Sequence, residues 1–594
     1  MESKALALEI MDKIIKRRPQ PNNITLPDTL HPVIQRVLAA RNVNDVSELD
    51  YGLQNLLPYQ SLLNIEKAVN LLYEALTKQS RILIVADFDA DGATSCATAI
   101  RALQQMGAQK VGFLVPDRKK HGYGLTPEIV ELAQKESILA YTPPGEGPDL
   151  LMTVDNGISS ITGVEVAQQK GMRVLVTDHH VAGEQLPKAD AIINPKQKGD
   201  QFPSKNLCGV GVIFYVMMAL RVHLRDKGWF TQQNIPEPNI AYLLDLVALG
   251  TVADVVELDY NNRILVEQGL RRIRANYCCP GIRALMQVSK RDQSTLIASD
   301  LGFYVGPRLN AAGRMDDMSY GINCLLSDDD ISARQHAELL QMFNQERRFE
   351  ETKMQTEAIE MITTLGDIDK LPLGICLYEE KWHQGVVGIL ASRIKDRLHR
   401  PVIIFTHDKE DTIRGSGRSV EGVHIRDVID TISTQNPGMI SHFGGHAMAA
   451  GLTIQREQFK HFQQAFDTEI RQYLSADELQ GTLLSDGALS AEDFNLALAE
   501  QLRTITPWGQ NFLEPVFDGE FEVLEHRILK EKHLKMQVRP LEGGPSVDVI
   551  AFNIIDGNWT GEVNRVQLAY RLDVNVYRGI KNLQLMAKHL IVSQ

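Results

Sequence analysis

The sequence predicts an α/β protein in which a parallel-sheet domain and a second α/β domain are joined by a long helix and followed by a C-terminal β-barrel. Three observations predict this fold class. Apolar runs alternate with helical windows over residues 81–270, which is typical of parallel strands covered by helices. Residues 331–365 contain neither Gly nor Pro, which favours one helix. Five β-rich segments with tight turns follow Pro515, and they suit a small barrel.

The order of these patterns predicts five segments along the 594 residues. The first one carries NITLPDTLHP and VIQRVLAAR, which predict a loop and then a helix. The long helix is expected to link two lobes and to set the width of a cleft between them. The predicted segments are an N-terminal segment (1–70), a parallel-sheet domain (71–330), a linker helix (331–365), a second α/β domain (366–475) and the barrel (476–594).

Strands of the first α/β domain are predicted at short apolar runs, and helices are predicted between them. The strands are 81–86, 111–115, 150–154, 173–177 and 191–193, and the helical windows are 94–107 and 126–137. In the second domain LGICLY, GVVGILASRIKDRL and PVIIF predict a strand, a helix and a strand. The barrel strands are predicted at VFDGEFEVLEHRIL, HLKMQVRP, SVDVIAFNI, VQLAYRLDVNVY and NLQLMAKHLIVS.

Composition favours a globular protein without a membrane segment. No stretch approaches the ~18 consecutive apolar residues of a membrane helix. Acidic residues interrupt the basic N-terminus, unlike in a targeting peptide, so we expect a cytoplasmic location. Six scattered cysteines without CxxC spacing signal neither a disulfide framework nor a thiolate zinc site. The net charge of −13 argues weakly against a nucleic-acid partner, but an acidic metal-binding cluster would contribute to that total.

Four acidic segments each follow an apolar run. DFDADG (87–92), TVDNG and TDHH come after predicted strands, and GTVADVV contains Asp254. Because the carboxyl ends of parallel strands share one edge of a sheet, we expect these side chains to meet. Carboxylates with one or two imidazoles favour Mg²⁺ or Mn²⁺. The pattern therefore predicts a two-metal site for phosphoester chemistry, with Gly92 turning the chain into a helix near Thr94.

Each segment also has a plainer interpretation when it is taken alone. DFDADG is typical of an acidic loop or a helix cap, and Asp155-Asn156-Gly157 is typical of a turn. Asp178-His179-His180 suits a polar surface, and Asp254 suits a buried acid paired with an arginine. The joint pattern favours the metal site over these four separate interpretations.

In order and spacing, the four segments resemble the DHH phosphoesterase superfamily, whose Asp-His-His signature is residues 178–180 here. The resemblance is to its RecJ-type branch of bacterial single-strand-specific 5′→3′ DNA exonucleases, and it continues through LCGVGV (207–212), GPRLNAAGRMDD (306–317), WHQGVVGI (382–389), GSGRS (415–419) and FGGHAMAAGLTI (443–454). It implies two divalent ions, Mn²⁺ or Mg²⁺, and removal of nucleotides from the 5′ end of single-stranded DNA in recombination and repair. It also implies a DHHA1-type second domain and an oligonucleotide-binding (OB) barrel.

The resemblance also implies a role for each matching residue. Asp89 and Asp91 would each bind one ion, and Asp155 would bridge the two. The expected metal ligands are Asp87, Asp89, Asp91, Asp155, His179 and Asp254. The expected catalytic residues are Asp178, which would orient its neighbours, and His180 and His446, which would contact substrate phosphates.

Further residues are expected to hold the strand. The resemblance implies that Arg118, Ser416 and Arg418 form the pocket for the 5′-terminal phosphate, and either Arg308 or Arg314 completes it. Guanidinium groups suit this role because their donors match phosphate oxygens. Gly-rich turns at GSGRS and FGGHA would admit backbone N–H groups to phosphate, and Tyr123 would stack on a base. The expected substrate-binding residues are Arg118, Tyr123, Arg308, Asn310, Arg314, Ser416, Arg418 and Gly445.

Two other functions stay open at this point. Relatives with these motifs cleave short oligonucleotides or cyclic dinucleotides, and some are non-catalytic replication scaffolds. The chain length and the barrel favour polymeric DNA over the first, and the retained acidic residues favour an enzyme over the second. The barrel also suits a protein partner. We expect a monomer whose partners, besides single-stranded DNA, include a single-strand binding protein or a helicase.

Overall fold

The computed structural model describes residues 13–20, 25–118, 120–135, 147–366, 370–475, 479, 481–530, 532–552 and 563–593. Its contacts divide the chain into two compact units. The sheet unit comprises Asp45–Gln345 and Thr504–Glu514, and the barrel unit comprises Met1–Asn44, Glu346–Arg503 and Pro515–Gln594. The predicted domain boundaries stay predictions. In the described part of the chain, no helix is both long and apolar enough to cross a bilayer.

The sheet unit is built on a five-stranded parallel sheet, as predicted. The strand order is Val111–Leu114, Ile82–Ala86, Leu150–Val154, Arg173–Thr177 and Ala191–Ile193, and all four pairings are parallel. Every residue of the strands Ile82–Ala86 and Leu150–Val154 is buried, which explains their continuous apolar sequence. Because all pairings are parallel, the carboxyl ends of the five strands reach one edge of the sheet together.

Helices of this unit pack on the sheet or on one another. In chain order they are Ile65–Thr77, Ala90–Gln105, Pro127–Lys135, Ile161–Gln169, Gly209–Asp226, Trp229–Gln232, Leu244–Ala253, Tyr260–Arg274, Pro280–Val288, Gly306–Met315 and Ser319–Leu326. The predicted helix start near Thr94 is wrong, because the helix begins at Ala90. Gly92 lies in its first turn, where a Cβ atom would come within 2.4 Å of the Asp87 carbonyl oxygen, so glycine is needed for close packing and not for a turn. Residues 136–137 of the other predicted helix lie outside the described residues.

The predicted linker is a single helix, Asp330–Thr364. Met354, Ala358 and Ile362 are buried on it at helical spacing, as the sequence pattern predicts. Farther towards its N-terminus, Glu351 accepts hydrogen bonds from Arg347 and Arg393, each at 2.8 Å. The absence of Gly and Pro over this stretch thus correctly indicated an uninterrupted helix.

The barrel unit contains a second five-stranded sheet. Its strand order is Ile440–Gly445, Ala449–Gln455, Thr412–Arg418, Val402–His407 and Ile375–Tyr378, and only the last pair is parallel. One face packs on the helices Ile425–Gln435 and Phe459–Ile470 through a core that includes Leu452 and Phe462. The helix Val387–Leu398 contacts the strands Val402–His407 and Thr412–Arg418.

The segment GSGRS is a strand and not the predicted turn. Gly415 and Gly417 alternate with Ser416 and Arg418, and both glycines face the core, where Cβ atoms would come within 2.6 Å of Phe405 and Ile425 side chains respectively. Bulky neighbours on the buried face leave no room for a side chain at these positions. Glycine within a strand marks such a close approach.

The C-terminal segments form a closed barrel, as predicted. The strand order is Phe517–Leu529, His533–Pro540, Val547–Ala551, Ile580–Ser593 and Arg565–Tyr577. The end of the segment SVDVIAFNI, and Lys4 of the basic N-terminus, lie outside the described residues. The predicted N-terminal helix is present at Pro32–Ala39. An additional strand, Ile14–Arg17, pairs in parallel with Thr482–Ser485, and the sequence did not predict it.

Candidate active site

The first acidic segment links a strand to a helix at the carboxyl edge of the parallel sheet. Asp89 is the N-cap of the helix Ala90–Gln105, and its carboxylate accepts the backbone N–H of Asp91 at 2.9 Å and of Gly92 at 3.1 Å. Asp91 is buried and accepts the backbone N–H of Gly209 at 2.5 Å. Asp87 is buried too, and its Oδ1 has no hydrogen-bond partner among the described residues.

Asp155 follows the neighbouring strand in a strained but supported conformation. Its φ of 63° lies in the left-handed region, which Asp tolerates better than most residues. Next to it, the Asn156 amide donates to the carbonyl oxygens of Val85 at 3.0 Å and Val154 at 2.9 Å, which ties this turn to two strands. A Cβ atom on Gly209 would lie 2.6 Å from the Asp155 Cβ, so only glycine lets the Asp155 side chain lie here.

Asp178 organises the segment that bears its two histidine neighbours. Its Oδ1 accepts the backbone N–H of His179 at 2.7 Å and of His180 at 3.1 Å, and lies 2.8 Å from the His180 Nδ1. Its Oδ2 accepts the backbone N–H of Ile158 at 2.9 Å. The Asp178 carboxylate is therefore fully engaged in holding the chain, which fits the predicted orienting role.

His179 lies between acidic residues from three different segments. Its Nε2 is 3.0 Å from Asp155 Oδ1, 3.5 Å from Asp254 Oδ2 and 3.9 Å from Asp91 Oδ2. Among the described residues, neither His179 Nε2 nor Asp155 Oδ1 has a hydrogen-bond partner. The His179 Nε2 and the Asp155 Oδ1 are therefore two buried atoms with lone pairs that face each other, and a bound cation would stabilise this arrangement.

Three overlapping groups of side chains offer ligand atoms within 4.8 Å of one another. One holds Asp87, Asp89 and Asp155; the second holds Asp91, His179 and Asp254; the third holds Asp155, His179 and His180. Asp155 belongs to the first and the third group, and His179 belongs to the second and the third, so the third group links the other two. The structure thus brings all six predicted metal ligands together, in an arrangement able to hold two ions.

So many buried carboxylates cannot all be charged at low free-energy cost unless a counter-ion lies among them. Burial, and then the charges of the neighbouring carboxylates, raise the pKa of Asp87, Asp155 and Asp254 well above its ordinary value. The same two causes raise the pKa of Asp91 to about 7. A divalent cation would relieve both the repulsion and the cost of burial.

The two imidazoles differ in their environments. Burial lowers the pKa of His179 to about 3, which leaves a neutral ring suited to ligation. Burial also acts to lower the pKa of His180, but the hydrogen bond and the charge of Asp178 outweigh it, so the pKa of His180 is raised. Adjacent histidines thus favour opposite protonation states.

Aromatic and basic side chains lie beside the acidic cluster. The Tyr123 hydroxyl donates to the Asp155 carbonyl oxygen at 3.2 Å and lies 3.2 Å from His180 Nδ1, while 48% of the residue is exposed. Arg118 is exposed and stacks on the Phe88 ring at 4.9 Å. Tyr123 therefore contacts both Asp155 and His180, and Arg118 lies against Phe88 of the first acidic segment.

In the segment GPRLNAAGR, Asn310 and Arg308 make structural contacts, and Arg314 lies near the acidic cluster. Asn310 Oδ1 accepts the backbone N–H of Ala90 at 2.8 Å, which fixes the start of the helix that carries Asp91. Arg308 donates to Gln341 Oε1 at 2.8 Å and to the Tyr304 carbonyl oxygen. The guanidinium of Arg308 is thus engaged in packing. Arg314 follows Gly313, whose Cβ position would fall within 1.9 Å of the Phe88 carbonyl oxygen, so it lies next to the first acidic segment.

The remaining predicted residues lie in the barrel unit. On strand Thr412–Arg418, the Arg418 guanidinium donates to the Ser416 hydroxyl at 3.3 Å. A Cβ atom on Gly388 would lie 2.9 Å from the Ser416 Oγ and 3.0 Å from an Arg418 Nη atom, so the start of the helix Val387–Leu398 closely approaches both. Gly445 has a φ of 145°, and its neighbour His446 is exposed.

Sequence reasoning missed two participants. Lys196 lies near enough to Asp254 and Asp178 that their charges raise its pKa against the larger lowering effect of burial. Lys196 could have been found from the sequence, because it lies shortly after the strand Ala191–Ile193, at the same edge of the sheet as the acids. The backbone of Gly209, which binds Asp91 and packs on Asp155, gave no local signal because both contacts are distant in sequence.

Family models match three parts of the chain: the DHH family N-terminal domain over residues 81–251, the DHHA1 domain over 372–472, and the RecJ OB domain over 485–589. The chain is 51% identical over 578 residues to the single-stranded-DNA-specific exonuclease RecJ of Dickeya dadantii, covering 97% of this chain and 98% of that protein. It belongs to the RecJ family.

Two further comparisons support this family assignment. The Escherichia coli exonuclease is 50% identical over 97% of this chain and 98% of its own. The crystal structure of Thermus thermophilus RecJ in complex with Mn²⁺ superposes with a TM-score of 0.78 at 26% identity, covering 98% of this chain and 79% of that one. The three predicted domain types, DHH, DHHA1 and OB, are therefore those of the RecJ family.

Proposed function

We propose that this protein hydrolyses phosphodiester bonds of single-stranded DNA from the 5′ end, using two divalent ions, Mn²⁺ or Mg²⁺. One observation carries the proposal. Two groups, Asp87–Asp89–Asp155 and Asp91–His179–Asp254, lie side by side at the carboxyl edge of the parallel sheet. The curated relatives are single-stranded-DNA-specific exonucleases, and a RecJ structure contains Mn²⁺, which supports the same substrate and metal here.

The residues present fit such a metal pair. Asp87 Oδ1, Asp155 Oδ1 and His179 Nε2 are buried without hydrogen-bond partners among the described residues, so each keeps a lone pair for a cation. Carboxylate oxygens dominate the donor set, with neutral imidazole as the nitrogen donor, which suits Mg²⁺ and Mn²⁺. The first group would hold one ion and the second group the other, with Asp155 shared.

Bound divalent ions supply charge neutralisation for the phosphodiester and a more acidic water molecule. Asp178 Oδ1 lies 2.8 Å from the His180 Nδ1. Burial acts to lower the pKa of His180, but Asp178 outweighs it and the pKa is raised, so His180 can donate a hydrogen bond to a phosphate oxygen. Lys196 adds a positive charge beside Asp254. These side chains would hold the substrate phosphate in place while the acids retain the ions.

The barrel unit is proposed to recognise the 5′ end. The Ser416 hydroxyl, the Arg418 guanidinium and the start of helix Val387–Leu398 converge closely, because residue 388 is glycine. A hydroxyl, a guanidinium and a helix N-terminus together suit a terminal phosphate. Arg118 and Arg314 of the sheet unit are proposed to contribute to phosphate binding, and the exposed His446 is proposed to contact the scissile phosphate.

Arg418→Gln is expected to lower the preference for 5′-phosphorylated over 5′-hydroxyl strands by about tenfold, because a charged hydrogen bond to the terminal phosphate is lost. Initial hydrolysis rates on the two strands at limiting substrate measure this preference. Arg426→Gln is the matched control, since Arg426 is an exposed arginine on the helix that packs on the opposite face of the sheet. An unchanged preference in Arg418→Gln would remove this residue from the proposed pocket.

The proposed activity is tested by incubating the protein with single strands labelled at the 5′ or the 3′ end, and with a matched duplex, in the presence and absence of Mn²⁺. We expect Mn²⁺-dependent release of the 5′ label as a mononucleotide at once, while the 3′ label stays on long products. The duplex should resist cleavage. Early release of the 3′ label, or equal cleavage without divalent ions, would contradict the proposal.

Two alternatives are less well supported. A phosphodiesterase for short oligonucleotides or cyclic dinucleotides has no evident need for the closed barrel that follows the two α/β domains. A replication scaffold has no need for six retained ligands brought together in one site. A long 5′-phosphorylated strand should therefore be degraded in preference to a dinucleotide.

The finer predictions about the cellular role also belong to this proposal. We propose that the enzyme acts as a monomer in the cytoplasm, in recombination and repair, together with a single-strand binding protein or a helicase. Family membership supports the DNA substrate. Light scattering of the purified protein and pull-down with purified single-strand binding protein address the oligomeric state and the partner.

A further inference from the structure

We propose that Arg414 and His442 form a second phosphate-binding site for the single strand, separate from the terminal-phosphate pocket at Ser416 and Arg418. The inference rests on the proposed DNA substrate and adds a specific subsite to it. It starts from the juxtaposition of these two basic residues in one row of the second sheet. Nothing in the catalytic arrangement described above uses either of them.

The register of the strands places the two residues together. His442 pairs with Thr453, and Thr453 pairs with Arg414, so the three residues lie side by side across three adjacent strands. The neighbouring residues Leu452 and Ile454 are buried in the core beneath the sheet, so this row belongs to the opposite face. On that face Arg414 and His442 are both exposed.

Neither side chain has a structural task. Among the described residues, Arg414 and His442 form no side-chain hydrogen bond and no ion pair, whereas the exposed Arg393 pairs with Glu351. An exposed arginine without a partner beside an exposed histidine gives this part of the sheet a local positive character. Phosphate is the ligand that such a pair attracts in an enzyme for DNA.

The next row of the same face lies close to the proposed terminal-phosphate pocket. Gly444 pairs with Gly451, and Gly451 pairs with Ser416. A Cβ atom on Gly444 would meet nothing within 4 Å, and one on Gly451 would meet only the Gly415 carbonyl oxygen at 3.8 Å. The two positions beside Ser416 in this row therefore carry no side chain and face open space, and a DNA strand could lie against the backbone there.

The spacing of the two rows fits one strand of DNA. Arg414 and Ser416 are two residues apart on an antiparallel strand, which corresponds to roughly 6.8 Å. Successive phosphates of an extended single strand are separated by a similar distance. One phosphate at Ser416 and Arg418 would thus leave another within reach of Arg414 and His442. This second phosphate would be an internal one, so the site would act whatever group the 5′ end carries.

The test measures DNA binding in an Asp155→Asn background, in which hydrolysis is prevented. Arg414→Gln, His442→Gln and the control Arg426→Gln are titrated by fluorescence anisotropy against 5′-phosphate and 5′-hydroxyl oligothymidylate over a series of salt concentrations. Removal of one phosphate contact should make the negative slope of log K against log salt shallower by about 0.7. We expect Arg414→Gln to weaken binding about threefold to tenfold, equally for both 5′ ends, and His442→Gln to act in the same direction.

A strand with one neutral methylphosphonate linkage locates the contact. At one internal position, the neutral linkage should weaken the binding of the parent but not that of Arg414→Gln. An Arg414→Gln slope equal to that of Arg426→Gln would overturn the inference, and so would a loss confined to 5′-phosphorylated strands. If the unaltered protein fails to degrade single strands, the proposed function itself is wrong. Normal degradation with an unchanged Arg414→Gln slope would refute only the second site.

Discussion

Asp155→Asn is expected to lower the rate of single-strand hydrolysis by about a thousandfold or more, because it removes a carboxylate that belongs to one group of metal ligands and lies 3.0 Å from His179 of the other. Asn is the informative replacement, since it keeps the shape of Asp and tolerates the φ of 63° at this position. Asp155→Ala and His179→Ala are expected to abolish cleavage as well. Single-turnover rates with a 5′-labelled strand at saturating Mn²⁺ measure the effect.

The folded structure is expected to survive this change. Asp155 lies among buried acids that repel it, so its replacement by a neutral amide removes an unfavourable charge in the metal-free protein. Thermal unfolding without divalent ions should therefore occur at the same or a higher temperature than in the unaltered protein. Hydrolysis within tenfold of the original rate, with intact folding, would contradict the role of Asp155.

Gly209→Ala is expected to reduce hydrolysis by about a hundredfold without removing any ligand. Its methyl group would lie 2.6 Å from the Asp155 Cβ and 2.9 Å from its Cγ, so the Asp155 carboxylate must move. Displacement of a catalytic group by about 1 Å can cost two orders of magnitude in rate. The loss should appear in kcat more than in KM for the strand, and the apparent affinity for Mn²⁺ should fall as well.

Gly211→Ala is the matched control for Gly209→Ala. Both glycines lie in the helix Gly209–Asp226, but a methyl group at position 211 would meet the end of the flexible Leu207 side chain at 3.1 Å. Leu207 can adjust, so we expect Gly211→Ala to keep most of the activity. Equal losses in the two variants would indicate a general effect on the helix and would argue against a specific contact with Asp155.

Much of the site was predictable because its acids follow local patterns. Each of Asp87, Asp155 and Asp178 comes directly after a continuous apolar run, and such runs form parallel strands whose ends share an edge. The same rule applied to the strand Ala191–Ile193 would have drawn attention to Lys196. The linker helix was predictable for a similar reason, since helical spacing persists over it without interruption.

The elements that were missed depend on distant contacts. Strand Ile14–Arg17 exists because it pairs with Thr482–Ser485, and no local pattern specifies a partner so far along the chain. The segment GSGRS looks like a turn by composition, yet the bulky side chains of Phe405 and Ile425 require glycine in a strand at positions 415 and 417. Tertiary packing overrides local preference in both cases.

The start of the helix at Ala90 illustrates an intermediate case. Asp89 accepts two backbone N–H groups of the first helical turn, which is the behaviour of an N-cap, and its sequence gave a usable signal. The sequence predicts a turn at Gly92 because glycine often allows one. Glycine is required at this position because a Cβ atom would lie only 2.4 Å from the Asp87 carbonyl oxygen.

We propose that acids from three segments and one imidazole from a fourth hold a pair of divalent ions. Anomalous diffraction from a crystal soaked in Mn²⁺ tests it most directly. We expect two peaks, one bound by Asp87, Asp89 and Asp155 and the other by Asp91, His179 and Asp254, with Asp155 contacting both ions. An absence of anomalous density between these side chains at saturating Mn²⁺ would contradict it.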